Sequence, residues 1–334
     1  MLSTREAYGM ALAELGERYD FYVLDADLSK ATQTIKFKEK YPERFMDMGI
    51  AEANMMEFAA GMSTCGKPVF ASTFASFAAG RAYDQIRNGI AYPHCNVKIG
   101  ATHGGVLIGA DGGSHQCIED IALMRAIPGM TVLCPCDKAE TFAFVEAALK
   151  MDEPVYLRFG RLGTPGVYTG EARFEIGRGT VVRDGADAAI IAVGDMVSKS
   201  LDAAEALSAE GISAAVIDMA SIKPIDAALI CEYAAKTGCI VTAEDHNIMG
   251  GLGGAVAEVL AQGCPVPQEF VGIRDTFGRS GEPAELAKYF GIDAASVACA
   301  VKKAIERKND PPCAGGHPAR GSIGRINEAY FSES

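Results

Sequence analysis

The densest group of chemistry-bearing side chains lies between Ala101 and Glu119, where Thr102-His103-Gly104-Gly105 precedes Gly109-Ala110-Asp111-Gly112-Gly113-Ser114-His115-Gln116. Histidine exchanges protons near neutral pH, and an aspartate beside it accepts hydrogen bonds from hydroxyl groups. The glycines let the backbone approach a ligand closely. Two histidines and an acid in such a loop point to binding and proton transfer, although the loop alone does not name a reaction. A second segment, Gly49-Ile50-Ala51-Glu52-Ala53-Asn54-Met55, sets an acid among small and apolar residues at the start of a helical stretch. Taken alone, Glu52 reads as a first-turn acid favoured by the helix dipole. The segment Thr73-Phe74-Ala75-Ser76-Phe77 carries two aromatics three apart, a spacing common in cores.

The elements that must hold these residues alternate regularly. Short β-rich runs at Phe21-Val23, Pro68-Ala71, Val97-Ala101, Thr131-Cys134 and Val155-Phe159 are separated by helical stretches such as Ala53-Ser63 and Ala139-Lys150. That alternation predicts a parallel sheet wrapped by helices, with the His103–His115 loop at the carboxyl end of a strand, where open α/β sheets bind ligands. A Gly-rich stretch from Gly160 to Gly179 marks a linker. A second cycle follows, with strands at Ala188-Val193, Ala214-Asp218 and Cys239-Ala243 and helices near Ser198-Glu210, from Asp226 and after Gly254. The expected architecture is α/β, with two three-layer α/β/α domains: a parallel-sheet domain at 1–165, a linker at 166–178, a smaller mixed-sheet domain at 179–308, and a polar tail at 309–334.

Composition narrows the function. A chain of 334 residues with 49% hydrophobic and 22% charged side chains is long enough for two cores. Its net charge of −12 excludes a broad basic surface for nucleic acid. No apolar run reaches the ~18 residues of a membrane span, and Met1-Leu2-Ser3-Thr4-Arg5 does not begin a signal peptide, so a cytoplasmic protein is expected. The ten cysteines are scattered in apolar contexts and are expected to be reduced. Cys134-Pro135-Cys136 lacks the spacing of a zinc hook, so no metal site is assigned. Gly250-Gly251-Leu252-Gly253-Gly254 departs from the dinucleotide fingerprint and reads as close helix packing.

Together, the Glu52, Phe74–Phe77 and His103–His115 segments, in this order and spacing, resemble the pyrimidine-binding domain of transketolases. Arg81-Ala82-Tyr83-Asp84-Gln85-Ile86-Arg87-Asn88, Ile118-Glu119-Asp120 and Arg125-Ala126-Ile127-Pro128-Gly129-Met130 are similar to the same family and to deoxyxylulose phosphate synthases. The resemblance extends to about Lys308 and makes the second domain the family's C-terminal domain. It implies thiamine diphosphate as cofactor. Glu52 would hydrogen-bond a ring nitrogen of the aminopyrimidine, Phe74 and Phe77 would flank the ring, and Ile50 and Asp27 would lie near the cofactor and the subunit boundary. Arg5, His103 and Arg158 would hold a sugar phosphate, and Asp111 and His115 would contact sugar hydroxyls and position protons. One departure is Ala31, which stands where relatives carry a phosphate-binding Ser, with Ser29, Thr32 and Thr34 nearby.

The Gly-Asp-Gly pattern followed by Asn, with which thiamine enzymes hold magnesium and the diphosphate, does not occur in the sequence. The resemblance therefore implies a partner, an N-terminal transketolase subunit that holds Mg2+ and the diphosphate, in an α2β2 assembly. The implied reaction moves a two-carbon ketol unit from a ketose phosphate to an aldose acceptor. Alternatives are a transketolase for a branched or sulfonated sugar, the beta subunit of a 2-oxoacid dehydrogenase, and a non-catalytic assembly subunit.

Overall fold

The computed structural model describes residues 1–169 and 172–310; most of the expected 309–334 tail lies outside the described residues. The strands, in chain order, are β1 Leu2–Ser3, β2 Tyr22–Asp25, β3 Phe45–Asp47, β4 Val69–Phe74, β5 Val97–Thr102, β6 Thr131–Leu133, β7 Val155–Arg158, β8 Gly163–Thr164, β9 Thr180–Arg183, β10 Ala188–Ala192, β11 Ala214–Asp218, β12 Ser221–Lys223, β13 Ile240–Asn247 and β14 Gln268–Ile273. Seven form one sheet in the order β12-β6-β7-β5-β4-β2-β3, and five form another in the order β14-β13-β10-β11-β9.

The first sheet is parallel from β6 to β3, as the alternation predicts. Its edge adds one antiparallel pair, because β12 comes from the second half of the chain and lies beside β6. Neighbouring side chains on each strand face opposite ways. Val23, Phe70 and Leu157 join one buried cluster with Tyr8, Leu12, Phe144 and Val145 from the helices Thr4–Leu15 and Lys138–Lys150. Leu24, Val69, Ala71 and Tyr156 face the other way, against Met55, Met56 and Ala59 of the helix Glu52–Ser63. That second cluster runs on without a break into Ile191, Ile217, Met219 and Leu252 of the second sheet's layer, so the two sheets share one apolar core.

The second sheet is mixed, with β9 antiparallel to β11 and the other pairs parallel. Its helices carry the expected stop and start chemistry. Asp226 accepts from Leu229 N and Asp293 from Ser296 N, and Gly238 ends the helix Ala227–Thr237 at φ 71°, where a Cβ is disfavoured. Strands β3, β9, β12 and β14 are short or partly polar runs without the apolar signal that marked the others. The expectation of ten reduced cysteines is corrected, since Cys231 and Cys264 are joined as a disulfide between the helix Ala227–Thr237 and the end of the helix Leu252–Gly263. These two helices pack side by side, so the two sulfur atoms meet at a helix contact that the sequence spacing does not reveal.

Cys136 lies at the join of the two halves, with Glu140 and Asp218 in a buried group whose donor atoms are all within 4.8 Å of one another. Such a set could ligate a cation. A shared proton accounts for it equally: burial pushes the Glu140 carboxyl well up and that of Asp218 up to about 6, and the two acids hydrogen-bond each other. Tyr168 Oη donates to Asp218 at 2.8 Å, and Asp137 receives the backbone N–H groups of Val167 and Tyr168 at 2.9 Å each. A carboxyl raised above its unfolded value stabilises the fold at low pH and loses that contribution as pH rises through the folded value. Asp218→Asn is therefore expected to gain thermal stability relative to the parent as pH goes from 4.5 to 7.5. Thermal melts that stay parallel across this range would contradict the shared proton.

Candidate functional site

The site begins at the carboxyl ends of the adjacent strands β4 and β5, whose last residues, Phe74 and Thr102, are paired in register. Just past β5, His103 takes a left-handed backbone conformation at φ 61°, uncommon for a residue with a side chain and frequent where geometry serves function. This turn lays the imidazole on Phe74, with ring centroids 3.9 Å apart. Phe74 stacks on Phe77 at 5.5 Å, and His115 meets Phe77 edge-on at 5.3 Å. Phe77 opens a π-helical turn, Phe77–Arg81, a winding often found at functional positions. Four residues later Arg81 folds its guanidinium over the Phe77 ring at 3.9 Å and donates to Glu52 Oε1 at 2.9 Å.

Glu52 is 5% exposed at the first turn of its helix, whereas Arg81 has more than half its side chain in solvent. The buried carboxylate is thus reached from solvent past a half-exposed side chain. Ile50, two residues before the acid, projects outward at 77% exposure. Asp27 sits exposed beyond β2, with its N–H donated to Asp47 Oδ1 at 3.1 Å.

On the other side of His103 is a local positive cluster. The two-residue ribbon of β1 and β8 pairs Leu2 with Thr164 and Ser3 with Gly163. Ser3 and Glu6 form a capping box that starts the helix Thr4–Leu15 there. These two devices set Arg5 beside Arg161, and burial together with the Arg161 charge lowers the Arg5 pKa. Arg5 Nη1 donates to Ala31 O at 2.8 Å, while its buried Nε has no partner. Arg161 donates to Ile108 O at 2.5 Å and to Asp111 Oδ2 at 3.1 Å, which draws Asp111 into the group. Burial first, then the charges of Arg5, Arg161 and His115, push the His103 pKa down to about 3. Its imidazole is neutral at physiological pH, with Nδ1 2.9 Å from Thr102 Oγ1. Thr32 and Thr34 turn their hydroxyls inward to Asp25 at 2.7 and 2.9 Å, so neither replaces the serine missing at Ala31.

Arg158 is not part of this cluster. Its side chain is buried, with Nε on Asp120 Oδ2 at 2.8 Å and Nη2 on the carbonyls of Asp245 and Cys117. Burial opposes ionisation of Asp120, but the Arg158 guanidinium holds its carboxyl below the usual carboxylate range. Strand alternation is the physical reason: Arg158 ends β7 pointing into the protein, and Arg161, past the strand end, is the arginine that reaches the open side. The position of Arg161 after a strand end was the signal the sequence carried for it; Arg81 opened a segment that carried the family likeness, with no role attached to it.

Two family profiles match the chain, the transketolase pyrimidine-binding domain over residues 1–165 and the transketolase C-terminal domain over residues 177–297. The chain is 49% identical to a transketolase C-terminal section of Methanocaldococcus jannaschii, over 91% of this chain and 96% of that one. It is 40% identical to the 6-deoxy-6-sulfo-D-fructose transketolase subunit SqwH of a Clostridium species, over 91% and 95%. A split-gene transketolase solved as an inactive β4 tetramer superposes with a TM-score of 0.87 at 54% identity, covering 92% of this chain and all of that one.

The different placements of the two arginines give different expectations. Arg158→Ala strands the buried Asp120 carboxylate and should cost about 3–5 kcal/mol in urea unfolding. Arg161→Ala, at a half-exposed position, should stay within about 0.5 kcal/mol. Equal small losses would contradict this placement. The His103 imidazole is expected to show no titration between pH 5 and 8 by NMR in the isolated chain, and a midpoint near 6.5 would contradict its burial against the two arginines.

Proposed function

This chain belongs to the transketolase family, among its split C-terminal subunits, and from that premise we propose that it supplies the aminopyrimidine- and sugar-binding half of a two-chain, thiamine-diphosphate-dependent ketol transferase. A separate N-terminal subunit would hold the diphosphate and Mg2+, in an α2β2 assembly. The residues present suit the cofactor: a buried acid paired with a half-exposed arginine, a wall of two phenylalanines, and an outward isoleucine beside them. Bound there, thiamine diphosphate supplies a carbon nucleophile able to make and break carbon–carbon bonds next to a carbonyl.

In this reading Glu52 holds a ring nitrogen of the aminopyrimidine once Arg81 swings aside, and Phe74 and Phe77 keep water from the ring. His103, held neutral, can donate or accept a hydrogen bond at a substrate oxygen without carrying a charge. Asp111 and His115 meet hydroxyl groups of the sugar. The observation that carries the proposal is the pairing of Arg5 and Arg161 beside His103. Two guanidinium groups repel each other and leave the buried Arg5 Nε unpartnered. An anionic sugar terminus would relieve the repulsion and meet that donor at once.

Ala31 favours a second reading of the same site. A phosphate there loses the hydroxyl donor that serine would offer, while a sulfonate, with a single negative charge, asks for fewer donors. Likeness to the Clostridium sulfofructose transketolase subunit supports testing that substrate class.

The test is ketol transfer by this chain alone and mixed with a candidate N-terminal subunit, with thiamine diphosphate and Mg2+ present. Two donors are compared, xylulose 5-phosphate and 6-deoxy-6-sulfofructose, each with an aldose phosphate acceptor. Activity is expected only in the mixture, and Glu52→Gln should lower kcat at least ~100-fold with the donor KM little changed. Full activity of Glu52→Gln would overturn the proposal, as would a mixture that binds cofactor but transfers from neither donor.

A further inference from the structure

The loop that carries Asp111 and His115 has almost no regular secondary structure, so its backbone groups must find partners elsewhere. Many of those partners come from the second half of the chain. The Asp245 carboxylate, 5% exposed on β13, accepts Val106 N at 2.9 Å and Leu107 N at 3.1 Å. Asn247 N donates to Ile118 O at 2.8 Å at the loop's far end. Between them the Gln116 amide, also 5% exposed, donates from Nε2 to Val106 O at 3.1 Å, Gly109 O at 3.2 Å and Arg279 O at 2.9 Å.

The glycines of the loop fit the same purpose. A Cβ on Gly105 would collide with the Asp245 carboxylate, one on Gly113 would lie 2.6 Å from Gly278 O, and one on Gly112 would lie 2.6 Å from Ser280 Oγ. Reciprocally, a Cβ on Gly278 would collide with Gln116 Oε1. The sequence pattern suggested glycines that admit a ligand; in the structure these three admit the second domain.

We propose that the second domain sets the geometry of the reaction centre, with Asp245 and Gln116 as positioning residues that fix the loop holding Asp111 and His115 over His103. This rests on the proposed ketol transfer for its catalytic consequence, although the clamp itself can be measured without it. Neither side chain need touch substrate. Gln116 sits next to His115 in sequence, so a displaced Gln116 amide moves the imidazole directly. An error of about 1 Å in such a group can cost about 100-fold in rate.

The experiment uses the full chain mixed with its N-terminal subunit and four variants. Gln116→Glu faces three carbonyl oxygens with a carboxylate. Asp245→Asn turns an amide N–H against one of the two loop N–H groups. Gly278→Ala pushes the Gln116 amide aside from within the second domain and keeps the proposal open to refutation should either of the others fold poorly. The expected result is a 10- to 100-fold fall in kcat with a raised acceptor KM and unchanged thiamine diphosphate affinity, because Glu52, Phe74 and Phe77 stand on other elements. Asp245→Glu, which keeps both acceptor oxygens, should recover part of the loss. In the isolated chain, hydrogen exchange at Val106 and Leu107 N–H should rise at least 10-fold in Asp245→Asn. Parental kinetics in Gln116→Glu and Gly278→Ala, or cofactor affinity falling in step with kcat, would overturn the proposal. Should the parent mixture transfer no ketol unit, the proposed function fails by itself, and unchanged exchange at Val106 and Leu107 would separately refute the clamp.

Discussion

The buried ion pair of Arg158 and Asp120 is the constraint around which the molecule is arranged. A guanidinium without water must have every charge and donor answered, because an unpaired buried ion costs several kcal/mol. Here β7 supplies the cation, the helix Asp120–Ala126 supplies the anion, and the carbonyls of Cys117 and Asp245 take a further donor. Tyr156 adds its hydroxyl to the same Asp120 oxygen. One side chain therefore ties the first sheet, the end of the glycine-rich loop and the second sheet together. Gly104 completes the arrangement, since any Cβ there would sit 2.6 Å from the Arg158 Nε. The residue before it, His103, is thereby set on a rigid floor.

From that floor the charges of the site follow. The chain carries a net −12, yet Arg5, Arg161 and Arg81 gather on the side of the sheet where the strands end. A local positive field in an acidic protein draws an anion to one place and discourages it elsewhere. Burial first, and then the charges of Arg5 and Arg161, keep His103 neutral, so the fold that gathers the positive charge also sets the protonation state of the histidine beside it. The Glu52 side of the site is open by comparison, with an outward isoleucine and a half-exposed arginine.

Much of the architecture was legible from residue order because it depends on local rules. Short β-rich runs marked the long central strands, and their alternation with helical stretches pointed to parallel pairing with helices on both faces. Glu52 at a helix start, two phenylalanines after a strand and two histidines in a glycine-rich loop were readable as types and spacings, and the structure gathers Phe74, Phe77, His103 and His115 into one aromatic group with Glu52 adjoining through Arg81. What escaped was whatever depends on segments far apart in sequence. The short strands β3, β9 and β12 carry little apolar signal because each is completed by a neighbour, and β12 joins the other half's sheet. Cys231 and Cys264 meet only because two helices pack side by side.

The sequence by itself determined the fold class, the family likeness and the kinds of side chain available for chemistry, since periodicity and motif order are properties of neighbours along the chain. Tertiary structure alone decided which arginine reaches the open side of the sheet, because a strand end buries Arg158 and the β1–β8 ribbon brings Arg5 to Arg161 instead. It also decided what the loop glycines are for: Gly105, Gly112 and Gly113 make room for Asp245, Ser280 and Gly278, residues more than 130 positions away in the chain. Contacts across such separations are set by how packed layers meet, and no local pattern of residues encodes them.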